Sequence, residues 1–145
     1  MESQDALIDA LVRTSFATMA VLNRIAAEHD LSLTQLRVLA ILRDRRVTMS
    51  ELADYLGLDK STISTLVDRA AKRDLLQRTP NPLDRRSVAV ALTEAGRQLA
   101  GHGAGQIARA LAPMTSTLTR VEADRVATLL ERMPGPAISA TSSLG

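Results

Sequence analysis

Two short helical patterns separated by one glycine turn constrain this 145-residue chain more than any other feature. Thr48 and Glu51 have the spacing of a capping box, and Gly57 stands where a left-handed residue ends a helix. Asp59 can then cap a second helix. The buried stripe of this second helix is predicted to comprise Ile63, Leu66, Val67, Ala70 and, at its edge, Ala71. This order predicts a helix-turn-helix unit, whose second helix can enter the DNA major groove.

The spacing of apolar residues changes from a helical to a strand-like period after Asp74. Residues 75–80 (LLQRTP) can form a strand, and residues 81–86 (NPLDRR) contain the Pro, Asn and Asp of a loop. Residues 87–93 (SVAVALT) alternate apolar and other residues as a strand does. A two-stranded hairpin directly after a helix-turn-helix is a wing. Its tip is predicted to carry Asp84, Arg85 and Arg86.

Longer helical patterns lie on both sides of this unit. Residues 5–28 place apolar side chains at three- and four-residue steps without Pro or Gly. Ser32 and Gln35 form a capping box for the next helix, and Thr93 can cap a long helix beyond the wing. We expect a kink or break near Pro113, because proline removes a helical hydrogen bond. The fold class is therefore mainly α with a small β-hairpin wing.

The last predicted helix begins at the Thr119–Glu122 capping box. The terminal helices together carry more apolar side chains than one small domain can cover. These side chains are Leu7, Leu11, Leu111, Met114, Leu118, Leu129, Leu130 and Met133. Their simplest use is a two-fold interface between two copies of the chain. The predicted organisation is a dimerisation helix at 1–31, a winged helix-turn-helix at 32–93, dimerisation helices at 94–133 and a flexible tail at 134–145.

Charge is distributed unevenly along the chain, although the net charge is only +2. Residues 37–97 hold twelve Lys and Arg against eight Asp and Glu, an excess of four positive charges. A basic middle between acidic ends indicates a surface that meets a polyanion. Phe16 and Tyr55 are the only Phe, Trp or Tyr residues, which argues against single-strand or RNA binding through stacked bases.

Several classes of function lack sequence support. The chain has no cysteine, and its two histidines, His29 and His102, are far apart in sequence, so no metal site is predicted. No Ser/His/Asp arrangement, glycine-rich phosphate loop or paired-carboxylate motif stands out, so neither catalysis nor a cofactor is expected. No apolar run approaches the roughly 20 residues that span a bilayer, and the start is acidic. We therefore expect a cytoplasmic protein without membrane contact.

The second helix of the predicted unit is rich in short hydroxyl side chains near its start: Ser61, Thr62, Ser64 and Thr65. Such residues are mediocre helix formers, but they allow close approach to a groove and bond to base edges or phosphates. Alternatively, Ser61 and Thr62 only belong to the N-terminal cap. Lys60 and Arg69 suit phosphate contacts. Lys72 and Arg73 suit either DNA contact or stabilisation of the helix C-terminus.

Three motifs in this order resemble the MarR (multiple antibiotic resistance regulator) family of winged-helix transcription factors over about residues 5–133. The motifs are LSLTQLRVLAIL, MSELADYLGLDKSTISTLVDR and DRRSVAVALTEAG, the last matching a D-x-R followed by L-T-x-x-G. The resemblance implies an obligate homodimer that binds pseudo-palindromic double-stranded DNA, usually as a repressor. It also implies release by a small, often aromatic or anionic, effector.

The resemblance also implies roles for particular residues. Arg86 is expected to enter the minor groove, with Asp84 orienting it and Arg85 nearby. The effector pocket is expected where the dimer region meets the winged helix, near Phe16, Met19, Arg37 and Ala40. The chain departs from the family at Asp74, where Gly is common, and at Ala70 or Ala71, where a large apolar residue is usual.

A second hypothesis is a winged-helix module that binds an acidic protein and no DNA. The charged wing tip discriminates between the two, because a protein-docking wing has no special need for an arginine held by a carboxylate.

Overall fold

The computed structural model describes residues 2–133, and the predicted tail at 134–145 lies outside this range. Within it the chain forms six helices and three short strands, which confirms the predicted fold class. In chain order these elements are α1 Glu2–Glu28, α2 Leu33–Leu42, β1 Val47–Thr48, α3 Met49–Leu56, α4 Lys60–Lys72, β2 Leu76–Asn81, β3 Asp84–Leu92, α5 Glu94–Thr115 and α6 Arg120–Glu131.

Helices α3 and α4 form the predicted helix-turn-helix. Gly57 has φ of 65° and its N–H bonds to the carbonyls of Ala53 and Asp54, so α3 ends in the left-handed turn that glycine favours. The Asp59 side chain accepts from the Thr62 N–H and caps α4. At the start of α3 only half of the predicted capping box forms, with the Thr48 hydroxyl accepting from the backbone N–H of its partner at 3.1 Å.

The sheet contains one strand more than the predicted hairpin. Its order is β1-β3-β2, and β1 pairs with β3 through Val47 opposite Val90. Strand β1 has only two residues, the second of which, Thr48, also caps α3. Two residues are too few for an alternating pattern. The strand anchors the wing to the helix-turn-helix through backbone hydrogen bonds.

The wing turns at Pro82 and Leu83, two residues earlier than predicted. The Asn81 side chain fixes this turn, because its Oδ1 accepts from the Leu83 N–H at 3.0 Å and its Nδ2 donates to the Ser87 hydroxyl at 2.7 Å. Asp84, Arg85 and Arg86 therefore open β3 beside the turn instead of forming it.

One apolar core lies beneath α4 and the sheet. Ile63 and Val67 of the predicted stripe are fully buried and Ala70 nearly so, whereas Leu66 is half-buried at its edge. The largest fully buried side chains are Leu52, Ile63, Leu92, Val38, Val67 and Val90, drawn from α2, α3, α4 and β3. This shared core fixes the orientation of α4 relative to the wing.

Helix α4 ends in a left-handed turn although the chain has Asp74 where a glycine was expected. Asp74 has φ of 59°, and the Leu75 N–H reaches back to the Ala70 carbonyl at 3.0 Å. Asp30 has φ of 55° at the equivalent place after α1. The turn is therefore kept although Asp replaces the glycine that is common in the family. A non-glycine residue in the left-handed backbone region carries a conformational cost.

The glycine of the L-T-x-x-G motif lies where β3 passes into α5. A Cβ at Gly96 would overlap the carbonyl oxygen of Leu75, and the Thr93 N–H bonds to the same oxygen at 3.1 Å. The first turn of α5 is therefore seated directly on the end of α4.

The two ends of the chain form the long helices of the fold. Helix α5 continues through Pro113 and ends two residues later at Thr115, so the predicted break falls just beyond the proline. Helix α6 begins with the predicted Thr119–Glu122 capping box. It buries no residue of its own. Among residues 2–133, no helix is long and apolar enough to cross a membrane.

Candidate nucleic-acid interface

Helix α4 presents its polar side to solvent. Because a helix turns once every 3.6 residues, burial of Ile63 and Val67 places Ser61 and Thr65 on the outward face, and both are exposed. The hydroxyl residues near the start of the helix are thus accessible. The outward face of α4 together with the wing is called the α4–wing surface below.

A concave region on one side of α4 joins the helix to the wing. It has a volume of about 340 Å³ and includes Lys60 and Ser64 of α4 together with Arg86 of β3. Its remaining lining residues are Thr48, Met49, Ser50, Ile63, Ser87 and Val88. Three of the predicted DNA-binding residues therefore meet at one place, although Lys60 and Arg86 are 26 positions apart in the sequence.

A second concave region lies on the other side of α4. It measures about 330 Å³ and contains Thr62, Thr65 and Arg69 beside Ser32 and Gln35 at the start of α2. The Ser32–Gln35 capping box is formed, with backbone-to-side-chain distances of 2.8 and 3.1 Å. The predicted α4 residues thus border two grooves along the helix.

Some hydroxyl groups of α4 are also used within the helix. The Ser61 hydroxyl donates to Asp59 Oδ1 at 2.8 Å, and the Thr62 N–H donates to the same oxygen at 2.7 Å. These bonds, led by the one from the Thr62 backbone, lower the pKa of Asp59. The Thr65 hydroxyl donates to the Ser61 carbonyl at 3.1 Å. Ser61 and Thr62 therefore both take part in the cap of α4, and the exposed Ser61 oxygen can still accept a hydrogen bond from a base or from water.

Two of the wing's arginines, Arg85 and Arg86, lie beside the turn. Asp84 Oδ1 accepts from the Arg86 backbone N–H at 3.0 Å and lies 3.7 Å from its Nε. The Arg86 side chain is 96% exposed. The carboxylate therefore fixes the backbone of Arg86 and only loosely restrains its guanidinium, and Arg85 is exposed as well.

An ion pair that the sequence pattern did not predict connects α4 with the wing. Arg78 Nη2 of β2 lies 2.7 Å from Asp68 Oδ1 of α4. This pair neutralises a carboxylate on the exposed side of the helix. No signal in the sequence marked it, because the two residues belong to separate elements.

Leu83 was also missed. It projects from the wing turn with 95% of its surface exposed. The sequence contains a signal for its exposure, since Pro82 and Leu83 lie inside the predicted loop.

The predicted effector residues are spread over two helices. Phe16 and Met19 are exposed on α1, and Arg37 of α2 donates to the Tyr55 carbonyl at 3.2 Å. Ala40 lines a cavity of about 120 Å³, and none of the other three contributes to its lining. The remaining walls of this cavity are Leu36, Leu39, Arg43, Asp44, Ala100, Ala104 and Ile107. The effector site stays a prediction.

The two histidines lie close together, which their sequence separation did not suggest. The rings of His29 and His102 pack edge to face with centroids 5.6 Å apart, and His29 Nε2 bonds to Gln106 Oε1 at 2.6 Å. Among residues 2–133, no group of three or more His, Cys, Asp or Glu side chains could hold a metal ion. The His29 contacts with His102 and Gln106 connect the turn after α1 to α5.

Comparisons with known proteins agree with this geometry. The family model described as MarR family matches residues 29–87, from the end of α1 to the wing. The transcriptional repressor NicR of Pseudomonas putida is 37% identical over 81 residues, which are 55% of this chain and 51% of NicR. The chain thus spans about half the length of this curated relative.

A longer match is with the multiple antibiotic resistance protein MarR of Escherichia coli, 32% identical over 117 residues and covering 75% of each protein. The crystal structure of a point mutant of E. coli MarR complexed with operator DNA has a TM-score of 0.68 at 25% identity. The structural match covers 89% of this chain and 94% of that one. The match extends from the winged helix into the flanking helices, and the chain belongs to the MarR family.

Proposed function

We propose that the chain is a transcriptional regulator that binds pseudo-palindromic double-stranded DNA as a homodimer, acts as a repressor and responds to a small aromatic or anionic effector. The single observation that carries this proposal is the meeting of Lys60, Ser64 and Arg86 around one groove between α4 and the wing. This arrangement lets one body contact a major groove with a helix and the adjacent backbone or minor groove with the wing.

The proposed roles follow from the side-chain chemistry. Ser61, Thr62, Ser64 and Thr65 are short enough for α4 to approach base edges, while Lys60 and Arg69 on its flanks contact phosphates. Arg86, and beside it Arg85, enter the minor groove, where narrow A·T-rich segments have a strongly negative potential. Asp84 keeps the Arg86 backbone in place through its bond to the N–H.

Dimerisation is supported by the apolar surface of the terminal helices. Helix α6 has twelve residues and buries none of them within its own chain. A helix of this length is marginal in water without a packing partner. Twelve of the fourteen large apolar side chains that are exposed between residues 2 and 133 lie on α1 or from Met114 onward. We propose that they pack against a second copy, which pairs two wings with two half-sites.

Regulation by an effector is the third part of the proposal. Family membership supports it, as does the cavity of about 120 Å³ between α2 and α5. A ligand that binds better to one dimer spacing shifts the population toward that spacing. If that spacing does not match the DNA half-sites, the ligand releases the DNA.

The alternative, a module that binds an acidic protein, has weaker support. The α4–wing surface combines a cationic wing with small hydroxyl residues, and it exposes few of the large apolar or aromatic anchors that dominate protein interfaces. Leu83 and Val88 are the only large apolar side chains of the wing that are exposed in the described range.

A footprinting experiment tests the proposal. The full chain should protect, in the DNA upstream of its own gene, a two-fold symmetric region with half-sites about one helical turn, or roughly 10 base pairs, apart. Arg86→Ala should weaken protection on the minor-groove side of each half-site first. Protection without symmetry, or none on a duplex selected from a random library, would overturn the proposal.

A further inference from the structure

A cavity of about 210 Å³, away from the α4–wing surface, is lined mainly by arginines. Four of its seven lining residues are Arg43, Arg45, Arg46 and Arg97, and no carboxylate is among them. Its other walls are Leu42, Ala91 and Leu92. The arginine pocket, as these seven residues are called here, lies where the end of α2, the end of β3 and the start of α5 meet.

Two of the four arginines are held in place. Arg97 donates from Nη1 to the Leu92 carbonyl at 3.1 Å and from Nη2 to the Glu94 carboxylate, also at 3.1 Å. Arg45 donates to the Tyr55 hydroxyl at 3.1 Å, with its guanidinium 5.7 Å from the ring centroid. Both guanidinium groups are therefore oriented before any ligand arrives.

The other two arginines bring charge that the chain does not neutralise. Between residues 2 and 133, the side chains of Arg43 and Arg46 form no ion pair and no hydrogen bond. Asp44, which lies between Arg43 and Arg45 in sequence, does not line the arginine pocket; it lines the neighbouring cavity, which Arg43 also borders, and forms no ion pair with Arg43. Four guanidinium groups thus share one concave region with a single paired carboxylate, Glu94, at its edge. Positive charges gathered in this way attract an anion, although exposure to water and salt screens part of the attraction.

The chemistry of the ligand follows from the guanidinium group. Its planar fork of N–H donors matches phosphate and carboxylate oxygens, and several such forks around one cavity favour a multiply charged anion over a singly charged one. We propose that the arginine pocket binds a small molecule through a phosphate or diphosphate group.

The position of the pocket favours a free small molecule over bound DNA. Strand β3 runs from the wing turn at Asp84 to Leu92, and Leu92 lies six positions after Arg86. At roughly 3.3 Å per residue, the pocket lies about 20 Å from the wing arginine. Strand β1, which pairs at Val90, places Arg46 at this same distant end of the sheet.

Occupancy of this pocket would join three elements. The anion would contact α2, the strand end and the first turn of α5, which leads from the winged helix into the C-terminal helices. A ligand that binds only the folded chain stabilises it in proportion to the logarithm of its concentration. The inference stands on the pocket alone and does not depend on DNA binding by α4.

Thermal unfolding of the full chain with pyrophosphate as the probe tests the proposal. Pyrophosphate should raise Tm above its value in sodium chloride of equal ionic strength, and inorganic phosphate should do so less. The double variant Arg43→Gln/Arg46→Gln removes the two unpaired charges and no described contact, so it should fold. It should bind pyrophosphate roughly tenfold or more weakly in calorimetry, because two charge-assisted contacts are lost.

Matched controls separate this site from general charge effects. Arg24→Gln/Arg109→Gln removes two exposed arginines elsewhere and should respond to pyrophosphate as the wild type does. An equal Tm rise in both double variants, or no rise beyond that of chloride in the wild type, would overturn the proposal. So would a loss of DNA affinity in Arg43→Gln/Arg46→Gln without any change in pyrophosphate binding, because the arginines would then serve DNA.

Discussion

Arg73, the first residue after α4, donates a hydrogen bond from Nη1 to the backbone carbonyl of Asp30 at 2.8 Å. Its Nη2 bonds to the carbonyl of His29 at 2.9 Å. Both carbonyls belong to the end of α1, where the helix dipole is negative and attracts a cation. One side chain thus ties the end of the proposed recognition helix to the end of the helix proposed to form the dimer.

This tie favours a positioning role for Arg73 over DNA contact. Arg73→Ala should lower the free energy of unfolding by roughly 1 kcal/mol, because two charge-assisted bonds to carbonyls are lost at an exposed site. DNA affinity should fall, but the dependence of log K on log salt should keep its wild-type slope. Chemical denaturation and salt titration measure the two quantities. A slope that decreases by about one, as loss of a phosphate contact requires, would contradict this role.

Two glycines of α5 should respond in opposite ways to alanine. Gly96→Ala should destabilise the protein by roughly 1–3 kcal/mol, as overpacking does, because its Cβ overlaps the Leu75 carbonyl oxygen. Gly101→Ala should stabilise it by about 0.5–1 kcal/mol, because a Cβ there meets nothing within 4 Å and glycine disfavours helix. Denaturant unfolding of both variants measures this, and equal signs would refute the packing at Gly96.

The cap of α4 should depend on pH. The pKa of Asp59 is lowered from its ordinary value of 3.8 by its bonds to Thr62 and Ser61. The carboxylate therefore stabilises the fold above that value, and the contribution is lost as the pH falls through the lowered pKa. Asp59→Asn keeps a capping side chain without this titration. In denaturant unfolding, the wild type should lose stability relative to Asp59→Asn as the pH falls from above 3.8 through the lowered pKa of Asp59. A difference that stays constant with pH would disprove this role of the cap.

The apolar side of α6 should control assembly. Leu130→Asp places a charge among Val126, Leu129 and Met133, all exposed within the single chain. It should convert a dimer into a monomer in sedimentation equilibrium, because an unpaired charge buried in an interface is costly. Thr128→Asp puts the same charge on the opposite side of α6 and should leave the dimer intact. Monomers in both variants, or dimers in both, would contradict the assignment of this face.

Local signals in the sequence predicted the elements well. Caps at Ser32, Asp59 and Thr119 and the turn at Gly57 act within a few residues, so they can be read without knowing the fold. The two-residue β1 could not be predicted in this way, since its only support is a pairing partner more than forty positions later. The wing turn lies earlier in the sequence than predicted because the Asn81 side chain fixes it through a hydrogen bond across the hairpin.

Long-range contacts account for what the sequence did not reveal at the site. The Asp68–Arg78 pair, the His29–His102 packing and the Arg73 tie each join separate elements. The arginine pocket combines a run of charges that is visible in the sequence with Arg97, which reaches it only through the fold. The predicted groove residues Lys60, Ser64 and Arg86 came together because the shared core fixes α4 against β3.

The most direct test of the account is the salt dependence of DNA binding. Fluorescence anisotropy measures the affinity for the footprinted duplex at several salt concentrations. The proteins compared are the wild type, Arg86→Ala and the exposed-arginine control Arg24→Ala. The wild type and Arg24→Ala should lose affinity steeply and equally between about 50 and 200 mM salt. Arg86→Ala should bind roughly 1–3 kcal/mol more weakly, with a shallower slope. Affinity that is insensitive to salt, or an Arg86→Ala protein that binds as the wild type does, would contradict the central claim.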